Sequence, residues 1–230
     1  MRRLIFPILM GLVGCAVLVS LGVWQVQRLH WKQGVLDAIE ARISGTPEAL
    51  PTGDVTDPTV QDSLRYTPVR AEGMIDAGEI HVLTTVKDEG PGFRLIVPFE
   101  TGGRRILADL GYISEEAKEA ARSAMPATIE GNLHWPQEAD RWTPAPDLEA
   151  NIWFARDVPA MAAHLNTEPL LIIARQIEGG PPTLPQPVTT SGIPNDHLSY
   201  AATWFGLALI WAIMSLYLIR RTLTEERRRI

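Results

Sequence analysis

Residues 4–26 form the run LIFPILMGLVGCAVLVSLGVWQV, and the first charged side chain after it is Arg28. An α-helix rises about 1.5 Å per residue, so this run can cross the roughly 30 Å hydrocarbon core of a bilayer. A second uncharged run, LSYAATWFGLALIWAIMSLYLI, covers residues 198–219. The two runs predict transmembrane helices over 4–26 and 197–219, which place both chain ends on one side of the membrane.

Basic side chains predict which side that is. The arginines outside the two runs at the chain ends are Arg2, Arg3, Arg220, Arg221, Arg227, Arg228 and Arg229. Lys and Arg accumulate on the cytoplasmic side, so residues 1–3 and the basic tail 220–230 are predicted to be cytoplasmic and the central part periplasmic. Arg28 and Lys32 oppose this orientation but are fewer. An apolar run that starts at Leu4 leaves no room for a mitochondrial presequence, which favours a bacterial inner membrane.

The middle of the chain is acidic. Residues 33–196 contain 12 Lys and Arg against 25 Asp and Glu, a net charge of −13, whereas the whole chain carries −6. Nucleic-acid binding needs clustered cations, so no nucleic-acid partner is expected. Cys15 is the only cysteine, which excludes an intramolecular disulfide and a Cys-x-x-Cys copper carrier. No motif of a hydrolase, phosphate loop or dinucleotide site occurs, so an enzyme is not predicted.

Between the spans, the hydrophobic pattern predicts a helix and then a sheet. Apolar residues at helical spacing continue the first helix outward over 27–44, and residues 46–62 have the composition of a loop. Short β-branched and aromatic segments then recur about every ten residues. They predict strands over 66–75, 79–87, 92–100, 104–113, 127–135 and 169–178, and helices over 114–123 and 157–164.

These elements predict a β-rich α+β domain over residues 45–177, for which closure as a small barrel is one option. Residues 178–196 contain GGPPTLPQP and no hydrophobic periodicity. That composition predicts an extended, polyproline-like tether leading to the second span. The predicted fold class is therefore a membrane protein with two transmembrane helices flanking a β-rich extracytoplasmic domain.

One of the five histidines differs from the others by its position. His197 opens the second span, where an ionisable group is a functional hypothesis by default. It could be an axial ligand to haem iron, or it could simply occupy the first helical turn behind a cap from Asn195 or Asp196. Arg28 and Lys32 could pair with haem propionates or anchor in lipid headgroups. Trp24, Trp31, Tyr200 and Trp204 are predicted to form an aromatic belt at the outer interface.

The ends of the two spans carry a family resemblance. Residues 22–32 read GVWQ-x-x-R-x-x-x-K, and residues 195–205 read NDHL-x-YA-x-TWF. These motifs resemble those of the Surfeit-locus-one family, the cytochrome c oxidase assembly factors of bacteria and mitochondria. Two positions depart from the family pattern: Leu110 stands where an arginine is usual, and Asp196 replaces an asparagine.

The resemblance implies a non-enzymatic factor that binds haem a and assists its insertion into subunit I of cytochrome c oxidase. It also implies His197 as the ligand to the haem iron. The candidate cofactor-binding residues are His197, Trp204, Tyr200, Arg28, Trp24, Gln25 and Lys32. The expected partners are subunit I, haem a synthase and the lipid bilayer. Two alternatives stay open, namely a scaffold for subunit I that carries no cofactor and an assembly factor for a quinol oxidase.

Overall fold

The computed structural model describes residues 2–227 of the chain, and side chains over residues 4–225. The side chains of Arg2, Arg3 and Arg227, and all of Arg228 and Arg229, on which the predicted orientation partly rests, lie outside this description. The chain divides into two compact units. A helical unit combines the residues up to Ala38 with those from Ser191 onward, and a sheet unit covers Ile39–Thr190.

The elements follow one another in this order: α1 (Arg2–Ile43), α2 (Pro58–Leu64), β1 (Pro68–Ile75), β2 (Ile80–Val86), β3 (Gly90–Thr101), β4 (Arg104–Ser114), β5 (Met125–Leu133), β6 (Ile152–Trp153), α3 (Val158–Leu165), β7 (Leu171–Gly179) and α4 (His197–Arg227). The two long helices begin and end the described chain, and the sheet lies between them in sequence. This agrees with the coarse order predicted from the sequence.

Two long helices make up the helical unit. α1 and α4 are both long and apolar enough to cross a membrane. They pack closely because glycines remove side chains from the contact. A Cβ atom at Gly22 would lie 2.7 Å from the Phe205 ring, and one at Gly14 would overlap the indole of Trp211. Close approach at small residues is how apolar helices associate when water contributes no hydrophobic drive between them.

The sheet has seven strands in the order β1-β5-β7-β4-β3-β2-β6. Its pairs are antiparallel except β4 with β7 and β2 with β6. The 12-residue β3 is long enough for three neighbours, since its first half pairs with β2 and its end pairs with β1 at Phe99 and Glu100. Strands β1, β5, β7, β4 and β3 therefore hydrogen-bond in a closed circuit. The small barrel stays a prediction.

The core lies inside this sheet and under α3. Its fully buried side chains include Leu95, Phe99, Ile106, Ile129, Leu133, Met161 and Leu171. Met161 and its α3 neighbours Val158 and Leu165 belong to the same cluster as the strand residues. Burial of a large aliphatic or aromatic side chain contributes about 1.5–3 kcal/mol, so this cluster is the main source of the domain's stability.

Two local predictions were wrong. Over residues 114–123 the chain forms the end of β4, a bend, a turn at 116–119 and an irregular segment, and not a helix. The Arg122 guanidinium donates to the carbonyl oxygens of Ala117, Lys118 and Ala120, and it pairs with Glu79, so it binds backbone acceptors that a helix would use internally. The predicted loop 46–62 contains the start of α2. The Asp57 carboxylate caps this helix by accepting from Thr59 N at 2.8 Å, and proline follows at the first helical position.

The predicted tether is hydrogen-bonded to β4 for part of its length. Leu184 exchanges two backbone hydrogen bonds with Tyr112, at 2.8 and 2.9 Å, as an added strand would. The Thr183 hydroxyl donates to Leu110 O at 2.8 Å. Gly111 makes this close approach possible, because its φ is +103° and a Cβ there would overlap Leu184 O. The compact sheet unit accordingly extends to Thr190, whereas the domain predicted from the sequence ends at residue 177.

Candidate functional site

The most specific polar contact in the helical unit joins the two long helices. His197 Nδ1, at the start of α4, lies 2.8 Å from Gln25 Oε1 of α1. Gln25 is only 8% exposed, and His197 is half-buried. An amide oxygen can only accept a hydrogen bond, so His197 must donate through Nδ1–H. A neutral imidazole in this tautomer carries its lone pair on Nε2, the nitrogen that can bind a metal.

The chain just before α4 is held at several atoms. Tyr200 N donates to Asp196 O at 3.2 Å, which starts the helix at His197. The Lys32 ammonium group donates to Pro194 O. Asn195 Oδ1 is buried and has no hydrogen-bond partner among the described residues. His197 therefore occupies the first helical turn, and its ring also contacts Gln25, so the two sequence-based alternatives for its position are not exclusive.

The seven predicted cofactor-binding residues separate into two groups. Gln25, Lys32 and His197 make contacts between α1 and the start of α4. The other four are Arg28, Trp24, Tyr200 and Trp204. The indole of Trp24 is 54% exposed and the phenol of Tyr200 56%, while Trp204 is half-buried. Exposed aromatics on apolar helices are typical of a surface that faces lipid or an apolar ligand.

The Arg28 guanidinium stacks on a side chain of its own helix. The guanidinium carbon lies 3.8 Å from the centre of the Trp31 ring. Arg28 follows Gln25 by three residues, so the two lie on neighbouring positions of one helix face. The Trp31 ring covers one side of the guanidinium, and the Arg28 side chain is exposed.

One imidazole nitrogen is a donor of the kind that a haem needs from a protein. Among the described residues there is no group of three or more His, Cys, Asp or Glu side chains that could hold a metal ion. A haem brings four nitrogen ligands of its own and needs only an axial one from the protein. The Nε2 lone pair of His197 could supply one such ligand, and the buried Gln25 amide makes the hydrogen bond that metal-binding histidines usually make through the other nitrogen.

A second polar cluster, which was not predicted from the sequence, lies in the sheet unit. Asp109 of β4 is fully buried and accepts from Arg94 Nε at 2.8 Å and from Arg156 Nη1 at 3.1 Å. Arg156 also pairs with Glu138, and Arg94 donates to Gln186 O at 2.9 Å. The cluster thus connects two strands, the segment before α3 and the tether. The only sequence signal was a carboxylate inside the apolar run RRILADLGYI.

The charges of this cluster compensate one another. Burial alone would raise the pKa of Glu138, but hydrogen bonds and attraction from Arg156 outweigh it and lower that pKa. Burial would lower the pKa of Arg156, and its pairing with Glu138 and Asp109 raises it instead. Burial, followed by the positive charges of Arg156 and Arg65, lowers the pKa of nearby His134 to about 4. Asp109, Glu138, Arg94 and Arg156 thus form a charge-balanced structural clamp.

The fold and the His197–Gln25 contact together define the class of protein. The chain has two apolar helices of membrane-spanning length, a β-rich domain between them, and a histidine and glutamine paired where the helices meet. A family model described as the SURF1 family matches residues 12–209, and the chain belongs to that family. The match includes both motifs on which the resemblance rested, so that prediction is confirmed. Membership of this family indicates an assembly factor and not an enzyme.

Curated relatives support the family over most of the chain. The Surfeit locus protein 1 of Xenopus tropicalis is 31% identical over 214 residues, which cover 82% of this chain and 67% of the relative. The SURF1-like protein of Rickettsia felis is 30% identical over 227 residues, covering 93% of this chain and 96% of the relative. The human Surfeit locus protein 1 is 29% identical over 215 residues, with coverages of 82% and 69%.

Proposed function

We propose that this protein is a membrane-anchored assembly factor for a haem-copper oxidase, which holds haem a through His197 and assists its insertion into subunit I. The observation that carries the proposal is the 2.8 Å contact between His197 Nδ1 and Gln25 Oε1. Because the oxygen accepts, the Nε2 lone pair is directed away from this hydrogen bond. Family membership supports the same assignment.

Each predicted residue has a role that follows from its chemistry. Haem iron accepts an axial imidazole nitrogen, which His197 Nε2 would provide. Arg28 would pair with a propionate, since a guanidinium binds a carboxylate through two parallel hydrogen bonds. Trp24, Tyr200 and Trp204 would cover the apolar faces and edges of the porphyrin. Lys32 holds the chain before α4 through Pro194 O, so its role is to position His197.

The proposal includes the location. The two helices would span a bacterial inner membrane with both termini cytoplasmic and the sheet domain periplasmic. The length and apolarity of α1 and α4 support anchoring in a membrane, and Arg220 and Arg221 beyond the second apolar run favour this orientation. The proposed protein partners are subunit I, which would receive the haem, and haem a synthase, which would supply it.

The direct test is to produce the protein together with haem a biosynthesis, purify it, and record its visible spectrum. We expect bound haem a in the wild type and at least about tenfold less in His197→Ala, because the axial ligand is lost. His30→Ala is the matched control, since His30 is an exposed histidine of α1. A wild type without haem, or equal haem in wild type and His197→Ala, would contradict ligation by His197.

A second experiment distinguishes a haem carrier from a scaffold without cofactor. A strain lacking the gene should assemble little active haem-copper oxidase, and the wild-type gene should restore it. If His197→Ala restores oxidase activity fully, assembly does not need the ligand, and the scaffold alternative is favoured. Haem a and haem o spectra of the membranes then show whether a cytochrome c oxidase or a quinol oxidase is affected.

A further inference from the structure

Gln25 is a polar side chain in an apolar setting. Among the described residues of the helical unit, it is the one polar side chain that is buried. An amide in an apolar environment is unfavourable without a hydrogen bond, so its pairing with His197 is a strong constraint on both side chains. The two residues are 172 positions apart in the sequence.

The register of the two helices around Gln25 is fixed by contacts on either side. Three residues earlier, Gly22 meets the ring of Phe205 so closely that a Cβ would lie 2.7 Å from it. Seven residues later, Lys32 donates to Pro194 O. Positions 22, 25 and 32 lie on one face of α1, because they repeat at helical spacing. The contacts of Gly22 and Lys32, one on each side of Gln25 along α1, therefore hold Gln25 in place opposite His197.

We infer that Gln25 is a positioning residue that fixes His197 in the Nδ1–H tautomer and so directs Nε2 to the iron. The inference rests on the proposed function and changes the role given to Gln25, which acts on the cofactor only through His197. Neutral histidine in water exists as both tautomers, and the hydrogen bond made by one nitrogen selects between them. A carbonyl oxygen beside Nδ1 selects the form whose lone pair is on Nε2.

The inference also predicts an electronic effect on the iron. A ligating imidazole whose Nδ1–H donates to an acceptor is a stronger base toward the metal. A stronger donor stabilises ferric over ferrous iron and lowers the reduction potential. Gln25→Glu keeps an acceptor and makes it anionic, whereas Gln25→Leu removes it with little change in size. The two variants should therefore shift the potential in opposite directions.

The first test needs no haem. The full-length protein with ¹⁵N-labelled histidine is studied in detergent at about pH 8.5, where histidine is neutral, and the tautomer is determined from long-range ¹H–¹⁵N correlations. The His197 signals are identified by their absence in His197→Ala. We expect Nδ1–H in the wild type and in Gln25→Glu, and a shift towards Nε2–H in Gln25→Leu. Gln27→Leu, at an exposed glutamine of α1, is the control and should match the wild type.

Two results of this first test would overturn the inference. One is a wild-type His197 in the Nε2–H form, which would mean that the amide presents its nitrogen to the ring. The other is a Gln25→Leu variant with the wild-type tautomer, which would mean that the amide does not select it.

The second test uses protein carrying haem a. We expect Gln25→Leu to retain haem roughly 10- to 100-fold less tightly and to have a raised reduction potential. Gln25→Glu should retain haem, with a lowered potential, and this shift in potential would not follow if Gln25 served only to join the helices. Wild-type protein without haem overturns the proposed function together with this role. Bound haem with equal potentials in wild type, Gln25→Leu and Gln25→Glu overturns the inference alone.

Discussion

Two histidines in the two units show how burial can serve different purposes. His134, after β5, stacks on Tyr66 with ring centres 5.1 Å apart and lies near three arginines that disfavour its protonation. Its Nδ1 has no hydrogen-bond partner among the described residues. His197 donates to a buried amide through Nδ1. The sheet unit therefore holds His134 neutral within a packed structure. In the helical unit, the hydrogen bond to Gln25 occupies Nδ1 of His197 and leaves the lone pair on Nε2.

The comparison extends to the charges around each histidine. In the sheet unit, the acidic and basic side chains of the clamp neutralise one another, so its variants should change stability. In the helical unit, the His197–Gln25 contact is a single hydrogen bond, so its variants should change ligand binding more than folding. Variants in each unit can test this division.

Removing the carboxylate at the centre of the clamp should have the largest effect. Asp109→Asn leaves Arg94 and Arg156 buried without their shared counter-charge, and loss of one partner from a buried ionic group costs about 3–5 kcal/mol. Urea unfolding of the purified protein in detergent measures this cost. Asp62→Asn is the control, because Asp62 is 72% exposed in its pair with Arg65 and such pairs contribute little. Equal stability of the two variants would refute the clamp.

The next effect concerns the contact between the tether and β4. Gly111→Ala introduces a Cβ that overlaps Leu184 O at a φ of +103°. Gly53→Ala has a similar φ of +113° but meets nothing within 4 Å. Both variants carry backbone strain, so the difference between them isolates the clash, which we expect to cost about 2–3 kcal/mol. If both variants unfold at the same urea concentration, the tether is not packed on β4 in solution.

A smaller effect concerns the pH dependence of folding through His134. Its pKa is about 4 in the folded protein and near 6.5 when unfolded, so the unfolded chain takes up the proton first as pH falls. Stability should therefore decrease between about pH 6.5 and 4. His134→Asn should remove roughly 1–2 kcal/mol of that decrease. An unchanged slope in His134→Asn would show that His134 is not held neutral.

The elements that could be predicted from the sequence are those determined by local pattern. Uncharged runs predicted α1 and α4, and short β-branched and aromatic segments at regular spacing predicted six of the strands. The helix at 114–123 was wrong because Arg122 binds the carbonyl oxygens of that segment, which helical propensity does not include. The start of α2 could have been predicted, since Asp57 and Pro58 form a common capping pair.

The candidate site was predicted in part. The position of His197 at the start of a span singled it out, and the family motif added Gln25. The sequence could not show that these two side chains meet, because the contact depends on how α1 and α4 pack. The Asp109 clamp was missed for the same reason, since its arginines come from β3 and from the segment before α3.

The proposed haem ligand is His197 of the helical unit, and His134 of the sheet unit has only a structural role. The most direct measurement is the haem a content per chain of His197→Ala beside His134→Ala, both produced with haem a biosynthesis and purified together with the wild type. The account predicts wild-type haem content in His134→Ala and at least about a tenfold loss in His197→Ala. Equal haem content in the two variants, or a larger loss in His134→Ala, would contradict it.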